Sequence, residues 1–206
     1  MGPIDSPGPN GDYLDRLMRR QSFHVLWPLF AKATKPAKEL TESFSALEHL
    51  RPLMKCVGPS RVIHVGDGAH ARTAALFAIK TEAENISVDP LINEVLVRSW
   101  RDEFSILRFA WRKSRIGDAA AWLNTLSTRP VFVTFVHAHV HVDEALAGLR
   151  WDAAFTLACC LPGHQLTSKG APHAQGEDAS VLSEDRTFQV LINPASALAG
   201  QLNERA

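Results

Sequence analysis

The segment Arg61-Val62-Ile63-His64-Val65-Gly66-Asp67-Gly68-Ala69-His70-Ala71 constrains this chain more than any other. An apolar run from Val62 to Val65 enters a tight glycine turn. A helical pattern follows, with Ala71, Ala74, Ala75, Leu76, Phe77 and Ala78 at its apolar positions. Strand, glycine turn and helix is how α/β proteins hold a nucleotide or nucleoside. Glycine lets the backbone approach the ligand closely, and the helix start offers free N–H groups. The same turn also serves shape alone, so its meaning depends on what lies downstream.

About twenty residues on, Glu84 to Pro90 reads as a second short strand ending in an acid, Asp89. A carboxylate there can accept both hydroxyls of a ribose. It can equally cap a helix, because Pro90 is a favoured first helical residue. Further on, Ile116-Gly117-Asp118-Ala119 precedes another helical run. Asp118 there can reach the edge of an adenine or act as an N-cap.

The 206 residues suffice for one sizeable core, and 46% of them are apolar. Lys+Arg and Asp+Glu balance at 22 each, so no net basic field draws the chain to nucleic acid. No apolar run is long enough for a bilayer, and residues 1–10 lack the apolar core of a signal peptide. Three cysteines, two of them adjacent, make no disulfide framework. A reduced, cytoplasmic setting without membrane contact is expected.

Residues 1–12 read as a flexible tail and 13–56 as a helical extension. Its stripes are Tyr13, Leu14, Leu17 and Met18, then Phe23, Leu26, Trp27, Phe30 and Ala31. A third helix runs from Ala37 to Cys56, burying Leu40, Phe44, Leu47, Leu50, Leu53 and Met54. These helices would cover a sheet edge or roof a cleft. From 57 to 206 strand and helix alternate: strands near 61–66, 85–89, 105–110, 130–137, 152–160 and 187–192, and helices near 70–81, 90–100, 118–127 and 142–149. That alternation predicts an α/β, Rossmann-like, mostly parallel sheet with helices on both faces. Leu166 to Arg186 is polar and reads as a loop.

With these positions in view, the chain resembles the class I S-adenosylmethionine-dependent methyltransferases. The matching elements are the turn at Val65 to Ala69, Asp89 after the second strand, Gly117-Asp118-Ala119 after the third, and Val131 to His137 as the fourth strand. A narrower likeness is carried by Val136-His137-Ala138-His139-Val140-His141-Val142-Asp143-Glu144-Ala145-Leu146. It is similar to a family segment in which a strand ends in a His-Ala-Cys-Asp-like turn followed by Asp-Glu-Ala-Leu. Phe155 to Leu166, with Cys159 and Cys160, is similar to that family's Pro-Cys-Cys-Gln-His-Glu-Leu signature.

The resemblance implies S-adenosylmethionine as cofactor, held by Val65, Gly66, Asp67, Gly68, His70, Asp89 and Asp118. It also implies an acceptor entering near His137, His139 and the Cys-Cys turn. RNA, protein and small-molecule acceptors all stay open. The sequence departs from the family at several points. His64 stands where an acid usually helps fix the methionine end of the cofactor. His70 stands where a third glycine is usual, and either crowds the cofactor carboxylate or binds it. His139-Val140 replaces Cys-Asp, Ala158 replaces Pro, and His164 lies two residues farther from Cys160. The tail after the fifth strand is short for the usual final hairpin. These departures bear on catalysis more than on fold.

Methyl transfer from a sulfonium needs alignment and exclusion of water more than acid–base chemistry. A base helps where the nucleophile carries a proton to be removed, and His137 and His139 are the candidate catalytic groups. His137, His139 and His141 alternate, so they share one side if the strand continues. Imidazole suits zinc, but no carboxylate joins them at clear ligand spacing, and no metal site is read. Cys159 and Cys160 read as structural. Trp100, Trp111 and Trp122 stack on a base or pack the core. Arg108, Arg112, Lys113 and Arg115 form the best candidate for phosphate contact or a solvated face. Two other readings stand beside the transferase. One is a catalytically degenerate relative kept for binding or assembly. The other is a nicotinamide-dependent oxidoreductase, disfavoured because the only Tyr is Tyr13 and no full Gly-x-Gly-x-x-Gly is present.

Overall fold

Successive residues of a strand point to opposite faces, and in the strands at 131–136 and 153–158 both sets are largely apolar, so these must be covered twice. A computed structural model describes residues 12–19, 22–126, 128–158, 162–167 and 171–204. The tail reading for 1–11 and the Cys159-Cys160 motif lie outside the described residues.

Three helices come first: α1 (Asp12–Met18), α2 (Phe23–Ala31) and α3 (Pro36–Val57). Then follow β1 (Arg61–Val65), α4 (Arg72–Lys80), β2 (Glu84–Val88), α5 (Glu94–Glu103), β3 (Phe109–Arg112), α6 (Ile116–Thr125), β4 (Val131–Val136), α7 (Val142–Ala147) and β5 (Ala153–Ala158). The chain closes with α8 (Pro162–Gln165), β6 (Ala174–Glu177), β7 (Thr187–Ile192) and α9 (Ala197–Asn203). The seven strands form one sheet in the order β3-β2-β1-β4-β5-β7-β6. β1 to β5 are parallel, and β7 runs antiparallel between β5 and β6.

Alternation divides the core as expected. Val62, Phe132, Val136, Phe155 and Leu157 face a cluster completed by α1 to α5, with Leu26, Phe30, Leu40, Leu47, Leu50 and Phe77. Ile63, Val65, Val133 and Phe135 face the other side, where Ala119 and Leu123 of α6 and Val142 and Leu146 of α7 cover them. The amino-terminal helices therefore share a core with the sheet. Residues 40–47 of α3 are buried all round, polar ones included.

The structure corrects several boundaries. The third strand lies at 109–112 rather than 105–110, because Ser105 takes a left-handed turn (φ 51) after α5 and leaves Leu107 exposed. The polar segment 166–186 is not a loop throughout: β6 lies inside it, and β6 with β7 makes the final hairpin that the tail had looked too short to form. Alternation is weak there because β6 is an edge strand reading Ala-Gln-Gly-Glu. No described helix is long and apolar enough to cross a membrane.

Candidate functional site

The bend between β1 and α4 is built on two left-handed glycines, Gly66 (φ 69) and Gly68 (φ 71). Gly66 is required by contact as well as by dihedral. A Cβ there would stand 2.7 Å from Ala138 Cα, where the chain leaves β4. Gly68 differs, since a Cβ there would meet nothing within 4 Å. The third glycine-like conformation falls on Ala71 (φ 49), which is fully buried at the head of α4.

The Asp67 carboxylate turns toward α4 and accepts the N–H groups of Thr73 and Ala74, each at 2.9 Å. It thereby satisfies two donors of a helix start that lacks a capping side chain. Burial nevertheless pushes its pKa up to about 6 against these bonds. Asp89 stands at the end of β2 and is 7% exposed. It accepts Gly68 N–H at 3.0 Å and Leu91 N–H at 2.6 Å, pinning the glycine bend from below. It is not a helix cap: α5 begins later, at Glu94, and Asn93 caps it by accepting Leu96 N–H at 3.2 Å. Asp118 is not a cap either. It sits within the first turn of α6, exposed, with Arg115 at the N-cap position.

These elements surround one cavity of about 880 Å³ at the carboxyl ends of the parallel strands. Val65, Gly66, Asp67, Gly68, Asp89, Asp118, His137 and His139 all line it. Such crevices are where open α/β sheets take ligands. His70 does not line it. Its ring stacks on Trp100, centroids 5.8 Å apart, on the other side of the bend. Burial, chiefly, lowers its pKa.

His64 also stays out of the cavity. It is 1% exposed and lies on the face of β1 that packs Phe77. One ring nitrogen meets Thr134 Oγ1 at 2.9 Å and the other meets Asn85 Oδ1 at 3.1 Å. Burial lowers its pKa to about 4. The unfolded chain therefore takes up a proton at this position below pH 6.5 while the native chain does not, and stability is lost as pH falls from 6.5 to 4. Asp67 works in the opposite sense. Its native form holds a proton up to about pH 6, and its unfolded form only to 3.8, so stability rises as pH falls through that window. Each effect is worth about 3 kcal/mol, and they nearly cancel. Asp67→Asn is expected to expose the histidine alone: stability should then drop by about 3 kcal/mol between pH 7 and pH 4, with the wild type changing far less. Urea unfolding across that range measures it, and parallel curves would refute the opposition.

The three alternating histidines do not share a strand face. β4 stops at Val136, and His137 takes a left-handed conformation (φ 58). His139 is exposed at the cavity mouth. His141 precedes α7 without a capping bond, and its ring lies 3.8 Å from that of His164. Gln165 Nε2 donates to Ala138 O at 3.1 Å, which holds α8 against this corner.

The cavity also has a roof, one of the two places expected for the amino-terminal helices, although Glu39 and Ser43 were not named for it. Phe30 of α2 and Glu39 and Ser43 of α3 line it. Arg72 fastens the roof to α4: Nε donates to Leu29 O at 2.8 Å, and Nη1 donates to Glu39 Oε2 at 2.6 Å. Beside it, Glu42 is fully buried and in contact with His137 Nε2 and Ser183 Oγ. No sequence signal singled these residues out, because Glu39, Glu42, Ser43 and Ser45 sit among other polar residues of α3 such as Lys38, Thr41 and Glu48.

Of the tryptophans, Trp100 is buried, while Arg101 lies over Trp111 at 5.4 Å and Arg112 over Trp122 at 4.7 Å. Arg108 pairs with Glu82 at 3.2 Å, and Arg112, Lys113 and Arg115 are exposed. Of these four cations, only Arg115 reaches the cavity lining.

No protein-family model matches the sequence, and no curated protein matches it. Solved structures match the fold. A mutant of MtNAS in complex with S-adenosylmethionine has a TM-score of 0.53 at 12% identity, over 88% of this chain and 75% of that one. A second MtNAS mutant structure gives 0.52 at 12% identity, over 88% and 80%. WbdD bound to a kinase inhibitor gives 0.48 at 19% identity, over 79% of this chain, which spans only 41% of the WbdD chain. The strand order, the reversed seventh strand and the likeness to MtNAS together give this chain a Rossmann-like, mostly parallel α/β fold shared with that S-adenosylmethionine-bound structure.

Proposed function

We propose that the chain binds S-adenosylmethionine in this cavity and transfers its methyl group to an acceptor. One observation carries the reading: Asp89 and the open Gly68 backbone converge on one cavity at the ends of β1 and β2. The residues suit the group. Each Asp89 oxygen accepts one backbone N–H and keeps a lone pair for a ribose hydroxyl. Asp118 supplies an acceptor for an adenine amino group, and Val65, Val88 and Ile116 supply apolar wall. Neither His64 nor His70 fills the space, which favours a working site over a degenerate one. When bound, the cofactor supplies a methyl carbon already activated by a sulfonium. The chain's own part is to orient the acceptor beside His137 and His139 and to exclude water beneath the roof. The volume of about 880 Å³ falls within the range of small-molecule sites and leaves room for an acceptor group.

Isothermal titration with S-adenosylmethionine and S-adenosylhomocysteine tests this. Micromolar binding of both is expected, and Asp89→Ala should weaken it by about 1–3 kcal/mol, the scale of a hydrogen bond to a charged group. Binding of neither ligand by the wild type overturns the proposal.

A further inference from the structure

We infer that Arg72 binds the carboxylate at the amino-acid end of S-adenosylmethionine. This rests on the methyltransferase reading above.

That end of the cofactor is a zwitterion, so the walls around it have to answer both charges. The two histidines beside the glycine bend do not. His64 packs against Phe77 and His70 stacks on Trp100, both outside the cavity lining. Asp67 lines the cavity, but its oxygens accept the N–H groups of Thr73 and Ala74, and an acid does not attract a carboxylate. Among the described lining residues, the permanently charged cations are Arg72 and Arg115. They belong to opposite faces of the sheet. Arg115 stands at the N-cap of α6, just before Asp118 and the end assigned to adenine, and is exposed. Arg72 opens α4 directly after the bend. Asp89, the ribose acceptor, is bonded to Gly68 of that same bend. The ribose and carboxylate sites thus lie at the two ends of one short segment.

The hydrogen bonds of Arg72 show what it lacks. Its side chain is 10% exposed, and a guanidinium carries five N–H donors in a fixed fork. Nε donates to Leu29 O and Nη1 to Glu39 Oε2, which sets the plane of that fork. Nη2 is buried and has no hydrogen-bond partner. Its N–H groups are donors that folding leaves unmatched, at a cost that an incoming acceptor removes. A carboxylate matches adjacent guanidinium N–H groups in both charge and geometry. Because Arg72 lines the cavity, a ligand oxygen meets the fork from that side. Glu39 lines the same wall. It balances the guanidinium and gives the cofactor's ammonium a counter-charge. The hydroxyls of Ser43 and Thr73, 3.0 Å apart, complete this polar corner.

Isothermal titration of the full chain tests this with two ligands, S-adenosylhomocysteine and its decarboxylated analogue, which keeps the amine. The wild type should bind S-adenosylhomocysteine about ten- to hundredfold more tightly than the analogue. Arg72→Gln should shrink that ratio to about threefold or less. The ratio is the readout because a merely loosened roof weakens both ligands together. A wild-type ratio near one, or a ratio that Arg72→Gln leaves unchanged, overturns the part given to Arg72, and the binding itself keeps the methyltransferase reading standing. Binding of neither ligand by the wild type overturns that reading and this inference with it. Should Arg72→Gln fail to fold, a crystal of the wild type with S-adenosylhomocysteine decides. A carboxylate within hydrogen-bond distance of the Arg72 guanidinium supports the inference, and one held elsewhere overturns it.

Discussion

Gly66→Ala is expected to destabilise the fold by about 3 kcal/mol and to lower Tm by roughly 10 °C. Two costs add. The left-handed backbone (φ 69) penalises any Cβ, and the new methyl would stand 2.7 Å from Ala138 Cα and 2.8 Å from Ala138 Cβ. Neither neighbour is the end of a flexible side chain. Ala138 is fully buried, and its carbonyl is held by Gln165. Relief would require β1 and β4 to part, and those strands pair along their whole length. Gly68→Ala makes the control. It shares the left-handed backbone (φ 71) but points its Cβ into open space, so it should cost only about 1 kcal/mol. If Gly68 faces the cofactor, that variant should lose S-adenosylhomocysteine affinity out of proportion to its stability. Equal thermal shifts for the two variants would show that the corner between β1 and β4 is slack.

Those two glycines also mark how far the sequence could be read. The bend, its strand and its helix are local, and apolar period and turn chemistry suffice to find them. β4 was legible for the same reason, because a nearly continuous apolar run has to be an interior strand. The meaning of neighbouring residues was not local. His64 occupies a position where the resemblance implied an acid, and only its place on the Phe77 side shows that it belongs to the core. His70 is adjacent to the bend, yet Trp100, thirty residues on, decides where its ring lies. Asp89 before Pro90 has the pattern of a helix cap, but the chain makes an extra turn and Asn93 takes that part. The roof was least legible. Glu42 meets His137 across 95 residues of sequence, and Arg72 meets Glu39 across 33. No periodicity within α3 distinguishes an acid facing a histidine from one facing water. β6 was hidden by composition, since an edge strand with Gln, Gly and Glu has no apolar face to announce it.

Asp178→Ala should have the next largest effect, about 3 kcal/mol at pH 7, and it bears on the roof. Asp178 is 8% exposed in the turn after β6. Its Oδ2 accepts Tyr13 Oη at 2.8 Å and Ser45 Oγ at 2.6 Å, and stands 3.4 Å from His49 Nε2. Its Oδ1 accepts Ser180 N–H at 3.0 Å. One carboxylate thus ties α1 and α3 to the hairpin, and alanine there strands donors on both helices. Burial by itself would raise this pKa, but the bonds from His49, Ser45, Tyr13 and Ser180 outweigh it and hold the carboxyl at about 2. A depressed acid contributes stability above its ordinary value of 3.8, and that contribution is lost as pH falls toward 2. The deficit of Asp178→Ala relative to wild type should therefore be full at pH 7 and should shrink between pH 3.8 and 2, as urea unfolding at the two ends would read. A deficit independent of pH would assign the loss to packing rather than to the charge. The consequence reaches the cavity because α3 carries Glu39 and Ser43 onto its lining. A helix released from the hairpin gives a roof that a ligand must first order, so S-adenosylhomocysteine affinity should fall along with stability although Asp178 does not line the cavity. Unaltered affinity in a destabilised variant would mean that the Arg72–Glu39 fastening holds the roof without help from Asp178.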